Sequence, residues 1–310
     1  MFAKTALALL AAAQLSIPLG KPRLIEQPRA PIESAGPRWA VACENSDDLN
    51  KPAPPVRIHG NTYIVGTCGI SSILIVGTDG DVLIDGGTEQ DAALIADNIH
   101  ELGYRVQDIR FILTSHEHYD HVGGIAKLQE LSGATVVTSA AAARVLSSGL
   151  PSPDDPQFGL SKQFPPVPVG RTVHDGEEVR LGNIMLTAIA TPGHTPGALS
   201  WRWVSCDGGV CRTIVYADSL TPVSNDTYRF TDHPAELAAF RASIAKIAES
   251  PCEILLTPHP SASRMPERLA LGRPLLDEQA CKTYAASRTK DLGDRLAKEA
   301  APSPPAPPKP

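Results

Sequence analysis

The chain has 310 residues, 42% of them hydrophobic, and a formal net charge of −6. That is enough apolar material for one large core or for two closely packed halves. A mild acidic excess without long charged blocks excludes nucleic acid or an anionic membrane surface as the main partner.

Met1-Phe2-Ala3-Lys4 leads into an apolar run, Ala6–Ala13, that fades toward Leu19. One lysine ahead of a short apolar stretch is the layout of a secretory signal, here residues 1–20. Small residues for cleavage stand at both Ala11–Ala13 and Pro18–Gly20. The run is short for a membrane span, so no stable membrane insertion is expected; an uncleaved anchor is the competing reading. Residues 21–38 are proline-rich and without period, which predicts a mobile leader. The Pro/Ala stretch 301–310 predicts a disordered tail, leaving one folded domain over 39–300.

Short β-branched runs at Asn61–Val65, Ser71–Val76 and Val82–Ile84, separated by glycines, predict an antiparallel meander closed by Asp85-Gly86-Gly87. Apolar residues at helical spacing predict a helix over Glu89–Leu102, stopped by Gly103. The strand Ile109–Leu113 then ends at Thr114-Ser115, and His116, His118, Asp120 and His121 follow within six residues, ahead of Gly123-Gly124. A solvated loop has no need of three imidazoles and a carboxylate at this density; these are ligands of zinc and its neighbours. In extended chain, residues i and i+2 share a face, so His116 and His118 can grip one ion, while the adjacent Asp120 and His121 suit a second. A helix over Val122–Leu131, a strand Thr135–Thr138 and a helix Ala140–Leu146 complete this half.

The proline-dense stretch Pro151–Val169 predicts a long surface loop around Asp155-Pro156-Gln157-Phe158, of a length that is often functional. Strands follow at Glu178–Leu181, Ile184–Ala190, Leu199–Val204 and Thr213–Tyr216. A helix is expected from Pro234 to Glu249, a last strand at Ile254–Thr257 and a helical end over Asp277–Glu299. Strands then helices occur twice, without βαβ alternation throughout. The fold class is therefore α+β: two sheets face to face with helices outside, a four-layer αβ/βα sandwich.

Two more histidines stand just past strands: His194 in Thr191-Pro192-Gly193-His194-Thr195-Pro196-Gly197, and His259 in Thr257-Pro258-His259-Pro260. With the first cluster they make a six-residue ligand set, enough for two metal ions with open positions. His59, His100, His174 and His233 lack such context and are assigned ordinary roles. The six cysteines behind an export signal predict disulfides. Cys206 and Cys211 flank Asp207-Gly208-Gly209 and face each other across a hairpin. The most local choices for the others are Cys43–Cys68 and Cys252–Cys281. Thiolate zinc binding ranks lower, because no C-x-x-C pair exists.

With these residues in view, the chain resembles the metallo-β-lactamase superfamily. The run H-x-H-x-D-H is its signature, and Asp85-Gly86-Gly87, Gly193-His194 and Pro258-His259 match further motifs in order, from about Trp39 to Lys298. Within it the chain resembles subclass B3, since Tyr216-Ala217-Asp218-Ser219-Leu220 has serine where subclass B1 carries a zinc-binding cysteine. The resemblance implies two Zn2+ ions, the first held by His116, His118 and His194 and the second by Asp120, His121 and His259. It implies hydrolysis of penicillins, cephalosporins and carbapenems by water activated at zinc, with Asp120 also orienting the nucleophile. It further implies substrate contacts from Ser219, Thr221 and the Gln157 loop, and three disulfides like those of B3 members with extra bridges. Asp85 is expected to steady a ligand histidine or its loop by hydrogen bonds, and no S-x-x-K motif of the serine β-lactamase kind is read.

A periplasmic or secreted monomer with a small β-lactam substrate is the expectation. The enzyme alternatives are lactonases, phosphodiesterases and glyoxalase II-like thioesterases of the same superfamily. In many of these an acidic residue bridges the metals, and Asp218 would serve if the alignment shifted by one residue. A non-catalytic zinc-binding protein is the remaining alternative.

Overall fold

The strands stack as they do because their apolar side chains alternate. Along the meander Ile64, Ile73, Ile75, Val82 and Ile84 face one side, while Tyr63, Leu74 and Leu83 face the other. Both faces are therefore buried, and each must be covered by a further layer. The computed structural model describes residues 35–272 and 275–301. Residues 1–34 and 302–310, where a signal segment, most of a leader and a tail are expected from the sequence, lie outside the described residues.

One sheet runs in order β1 (Val56–His59), β2 (Thr62–Ile64), β3 (Ile73–Ile75), β4 (Asp81–Ile84), β5 (Ile109–Leu113), β6 (Thr135–Thr138) and β7 (Val169–Thr172). The other comprises β8 (Glu178–Leu181), β9 (Ile184–Ala190), β10 (Leu199–Asp207), β11 (Val210–Tyr216) and β12 (Ile254–Leu256), ordered β12-β11-β10-β9-β8. The helices are α1 (Ala35–Ala42), α2 (Ala92–Glu101), α3 (Tyr119–Val122), α4 (Ile125–Ser132), α5 (Ala140–Ser148), α6 (Pro234–Glu249), α7 (Met265–Ala270) and α8 (Ala280–Ala300). Ile95 and Ile99 of α2, Leu128 of α4 and Leu146 of α5 cover the outer face of the first sheet. Phe240 and Ile244 of α6 and Tyr284 of α8 cover Val215 and Leu255 of the second. Between the sheets lie Trp201, Trp203, Ile214 and Tyr216 against the meander. The expected α+β αβ/βα sandwich is the fold observed.

Several local expectations change. β1, β7, α1, α3 and α7 were not anticipated, and residues 35–38, assigned to the leader, form the first half of α1. The meander is antiparallel through β4, but β4, β5, β6 and β7 then pair in parallel, linked by helices as βαβ units. The helix read over Val122–Leu131 is two helices parted at Gly123-Gly124. A Cβ on Gly124 would lie 2.2 Å from the carbonyl oxygen of Gly86. Glycine there lets the Asp85-Gly86-Gly87 turn dock backbone to backbone, with Gly86 N donating to His121 O at 2.8 Å and Gly124 N to Gly87 O at 3.1 Å.

The two sheets are tied where the site forms. Trp201 is fully buried and donates its indole N–H to Thr114 O at 2.9 Å; Leu199 N donates to Ser115 O at 2.6 Å. Truncating such a tryptophan would cost about 3–5 kcal/mol. The disulfides are Cys43–Cys68, Cys206–Cys211 and Cys252–Cys281, as read from the sequence. Among the described residues no helix is long and apolar enough to cross a membrane.

Candidate metal centre

β5 delivers Thr114-Ser115 into the gap between the sheets, and the histidine run begins where its ladder ends. Ser115 is pinned there by Asp85, which accepts from Ser115 N at 2.7 Å, Ser115 Oγ at 2.6 Å and Tyr216 Oη at 2.8 Å. Asp85 itself adopts φ 61°, a left-handed conformation costly for a non-glycine residue and tolerated where surrounding bonds over-determine it. His194 arrives from β9 on a loop pressed against α6. Gly193, at φ 150°, leaves no room for a Cβ, which would lie 2.4 Å from the Phe240 ring. His259 follows β12, and its Nδ1 donates to Gly69 O at 3.1 Å.

These loops bring all six predicted ligands together as two triads: His116, His118 and His194, and Asp120, His121 and His259. Within each triad one potential ligand atom per residue lies within 4.8 Å of the others. In the first, ring centroids are 4.8–5.0 Å apart and the rings stand at 75–88° to one another, so three nitrogens converge rather than stack. The triads adjoin: the rings of His116 and His121 are 4.0 Å apart.

Each first-triad histidine is oriented through its outer nitrogen. His116 Nδ1 donates to Asp218 Oδ1 at 2.8 Å, His118 Nε2 to Asp155 Oδ2 at 2.8 Å, and His194 Nδ1 to Thr221 O at 2.9 Å. That leaves the inner nitrogens as lone-pair donors, the tautomers a metal requires. Burial, then the neighbouring imidazoles, pushes the pKa of His116 well below its ordinary value. Burial, with His118 beside it, takes His194 down to about 3. In the second triad burial opposes charge on both partners, and charge wins. His121 is raised to about 10 by the Asp120 carboxylate, and Asp120 is held below the usual carboxylate range by His121. Asp120 Oδ2 lies 3.3 Å from His121 Nε2 and 3.6 Å from His259 Nε2.

The donor set fits zinc. Buried polar atoms normally find a partner, yet His116 Nε2 and both ring nitrogens of His121 are buried without a hydrogen bond. His116 Nε2 and His121 Nε2 belong to a cluster whose donors are imidazole nitrogen and carboxylate oxygen, zinc's usual partners, while His121 Nδ1 lies on the Asp85 side, 3.5 Å from its Oδ2.

The sequence matches the metallo-beta-lactamase superfamily over residues 65–259. The chain belongs to that superfamily. It is similar to the solved structure of the metallo-β-lactamase MIM-1 from Novosphingobium pentaromativorans, at 50% identity over 85% of this chain and 98% of that one, with a TM-score of 0.83. It is also similar to MEM-A1, a subclass B3 metallo-β-lactamase from a soil metagenome library, at 42% identity over 82% and 99% of the two chains and a TM-score of 0.79. The hydroxyacylglutathione hydrolase of Idiomarina loihiensis is 32% identical over 95 residues, 31% of this chain and 29% of that protein. The chain thus spans about a third of the length of the curated relatives it matches.

For this member of the superfamily, the other predicted site residues fall around the triads. Gln157 Nε2 stands 3.5 Å from His194 Nε2. The Thr221 hydroxyl is 3.0 Å from His194 Nδ1, and Ser219 Oγ is buried without a partner. Asp218 occupies the outer nitrogen of His116. The two nitrogens of an imidazole point away from each other, so this carboxylate cannot also bridge ions held on the inner side. One sequence expectation fails outright: Ser243-Ile244-Ala245-Lys246 has S-x-x-K spacing. On α6, however, Ser243 Oγ bonds the carbonyls of Pro192 and Ala239, and Lys246 Nζ donates to Asp175 and Ala190 O. Neither side chain is available as a nucleophile and base pair.

Three residues that orient the site were missed. Asp155 and Asp218 lie far along the chain from the histidines they hold. Glu117, inside the signature itself, is buried and accepts from Thr195 Oγ1 at 2.8 Å and Gly197 N at 2.9 Å, tying the first histidine loop to the His194 loop. Burial pushes its carboxyl up, with the Thr195 bond opposing. A carboxylate between two ligand histidines is the one signal that pointed to it.

Proposed function

We propose that the chain is a subclass B3 metallo-β-lactamase that holds two zinc ions and hydrolyses the amide of penicillins, cephalosporins and carbapenems. The observation that carries this is the second triad, Asp120, His121 and His259, completed without a cysteine, in a chain that has Ser219 after Asp218 and is half identical to MIM-1. His116, His118 and His194 would hold one ion and this triad the other. Bound there, zinc supplies a nucleophile from water near neutral pH and polarises the lactam carbonyl.

The chain's own residues do the positioning. Asp218, Asp155 and Thr221 fix the three imidazoles so that no ligand reorganises as the reaction proceeds. Asp120, with Oδ2 between His121 and His259, orients the attacking water. Ser219 and Thr221 meet the substrate carboxylate, and Gln157 covers the site from its loop. The three disulfides support an exported protein, because such bonds persist in oxidising compartments.

The match to hydroxyacylglutathione hydrolases supports a thioesterase as the second reading, and Asp218 behind His116 speaks against it. Purified protein with zinc is given a carbapenem, a lactone and a thioester, each with and without a chelator. Chelator-sensitive carbapenem loss is expected; turnover of the thioester or lactone alone would reverse the assignment.

A further inference from the structure

The loop that carries Asp155 and Gln157 over the first triad has little to hold it by packing. Between Asp154 and Gln163 only Asp155 and Pro156 are buried, while Phe158 and Leu160 are 46% and 61% exposed. Few buried apolar contacts mean low local stability, so polar bonds must set the height of the loop. Two of them come from one residue on a different loop. Asn225 N donates to Pro156 O at 2.8 Å, and Asn225 Nδ2 donates to Phe158 O at 2.9 Å.

Asn225 is itself fixed. Its Oδ1 accepts from Thr227 N at 2.9 Å, Thr227 Oγ1 at 2.9 Å and Tyr228 N at 2.8 Å, a side-chain-stapled turn. That turn rests on the end of α8. Arg295 Nη2 donates to Ser224 Oγ at 2.7 Å and Tyr228 O at 2.8 Å. Glu299 accepts from Arg295 Nε, Phe230 N and Thr231 N. An unbroken series of hydrogen bonds therefore runs from the last turns of α8, through Asn225, to Asp155 on His118 and Gln157 beside His194.

We propose that Asn225 is a positioning residue. It latches the 155–158 loop over the histidine triad and so sets how substrate is received there, with Arg295 as the anchor beneath it. What passes under the loop is taken from the β-lactamase reading; the latch itself is not.

Asn225→Asp isolates the latch. The carboxylate keeps the three acceptor bonds of the turn but loses the N–H that reaches Phe158 O and turns a charge toward that carbonyl. Amide hydrogen exchange of the zinc-loaded full chain should rise about five- to tenfold over 155–160, the size of one lost hydrogen bond, and stay unchanged in α6 and α8. With a carbapenem, KM should rise by a similar factor while kcat stays within about twofold. Arg295→Met, which keeps the stem over Phe230, should give the same pattern more weakly. Unchanged exchange over 155–160 in Asn225→Asp would overturn the proposal. So would a rise shared by α6 and α8, or a fall in kcat at constant KM. If no β-lactam is turned over by the unsubstituted protein, the functional reading fails, and exchange alone decides the latch.

Discussion

The two triads adjoin, yet they are built differently. In the first, all three ligand candidates are buried imidazoles, and each is held at its outer nitrogen by a hydrogen bond of 2.8–2.9 Å. In the second a carboxylate shares the work. The side chains of Asp120 and His259 are 22% and 34% exposed, and His121 has Asp85 only at 3.5 Å. The first is shaped before anything binds, so little ordering remains to oppose binding. The second is assembled mainly by charge, and it opens toward solvent through Asp120 and His259. Rigidity and access are thus divided between neighbours instead of being compromised in one site.

The sharpest way to break this comparison is to remove a ligand from the rigid side. If the chain holds two zinc ions as proposed, His116→Ala should lower zinc-dependent turnover by more than about a hundredfold, beyond the usual effect of losing an outer partner, and cut bound zinc from two ions to one while the far-ultraviolet circular dichroism is kept. Full activity or two retained ions would remove His116 from the first site. Next in size is the outer partner. Asp155→Ala should weaken the first zinc by about ten- to a hundredfold, with Asp155→Asn restoring most of the affinity through its remaining acceptor. Competition with a chromophoric chelator measures this, and an equal loss at both ions would mean that the sites are not independently built. The smallest effect is expected far from both triads. Cys206→Ser should lower unfolding free energy by no more than about 2 kcal/mol, since the hairpin closes a very short loop, and leave kcat/KM unchanged. A reactive thiol at Cys206 in the native protein would contradict the bridge itself.

Much of the site was legible because its chemistry is local. His116, His118, Asp120 and His121 declare themselves by residue type and spacing within one turn of chain. His194 and His259 declare themselves by standing past strands among glycine and proline. The layers were legible because alternation in β2–β4 buries both faces. What stayed hidden had no period. The division of 119–132 into two helices follows from the contact of Gly124 with Gly86, and the parallel course of β4–β7 follows from helices whose ends carry no mark of strand direction. The Ser243–Lys246 spacing shows the converse: a motif is present, but the helix turns its groups to structural bonds.

By itself, the sequence determined which atoms are available to bind metal, that His116 and His118 can share one ion with Asp120 and His121 beside it, and that Cys206 can meet Cys211. These depend on residue type and short separations, which the backbone converts directly into geometry. Only the tertiary structure decided what aims those atoms. Asp155 is 37 residues from His118, Glu117 is 80 from Gly197, and Asp218 is 102 from His116. A hydrogen bond between such residues depends on how two sheets stack, and nothing in the spacing of either partner records it.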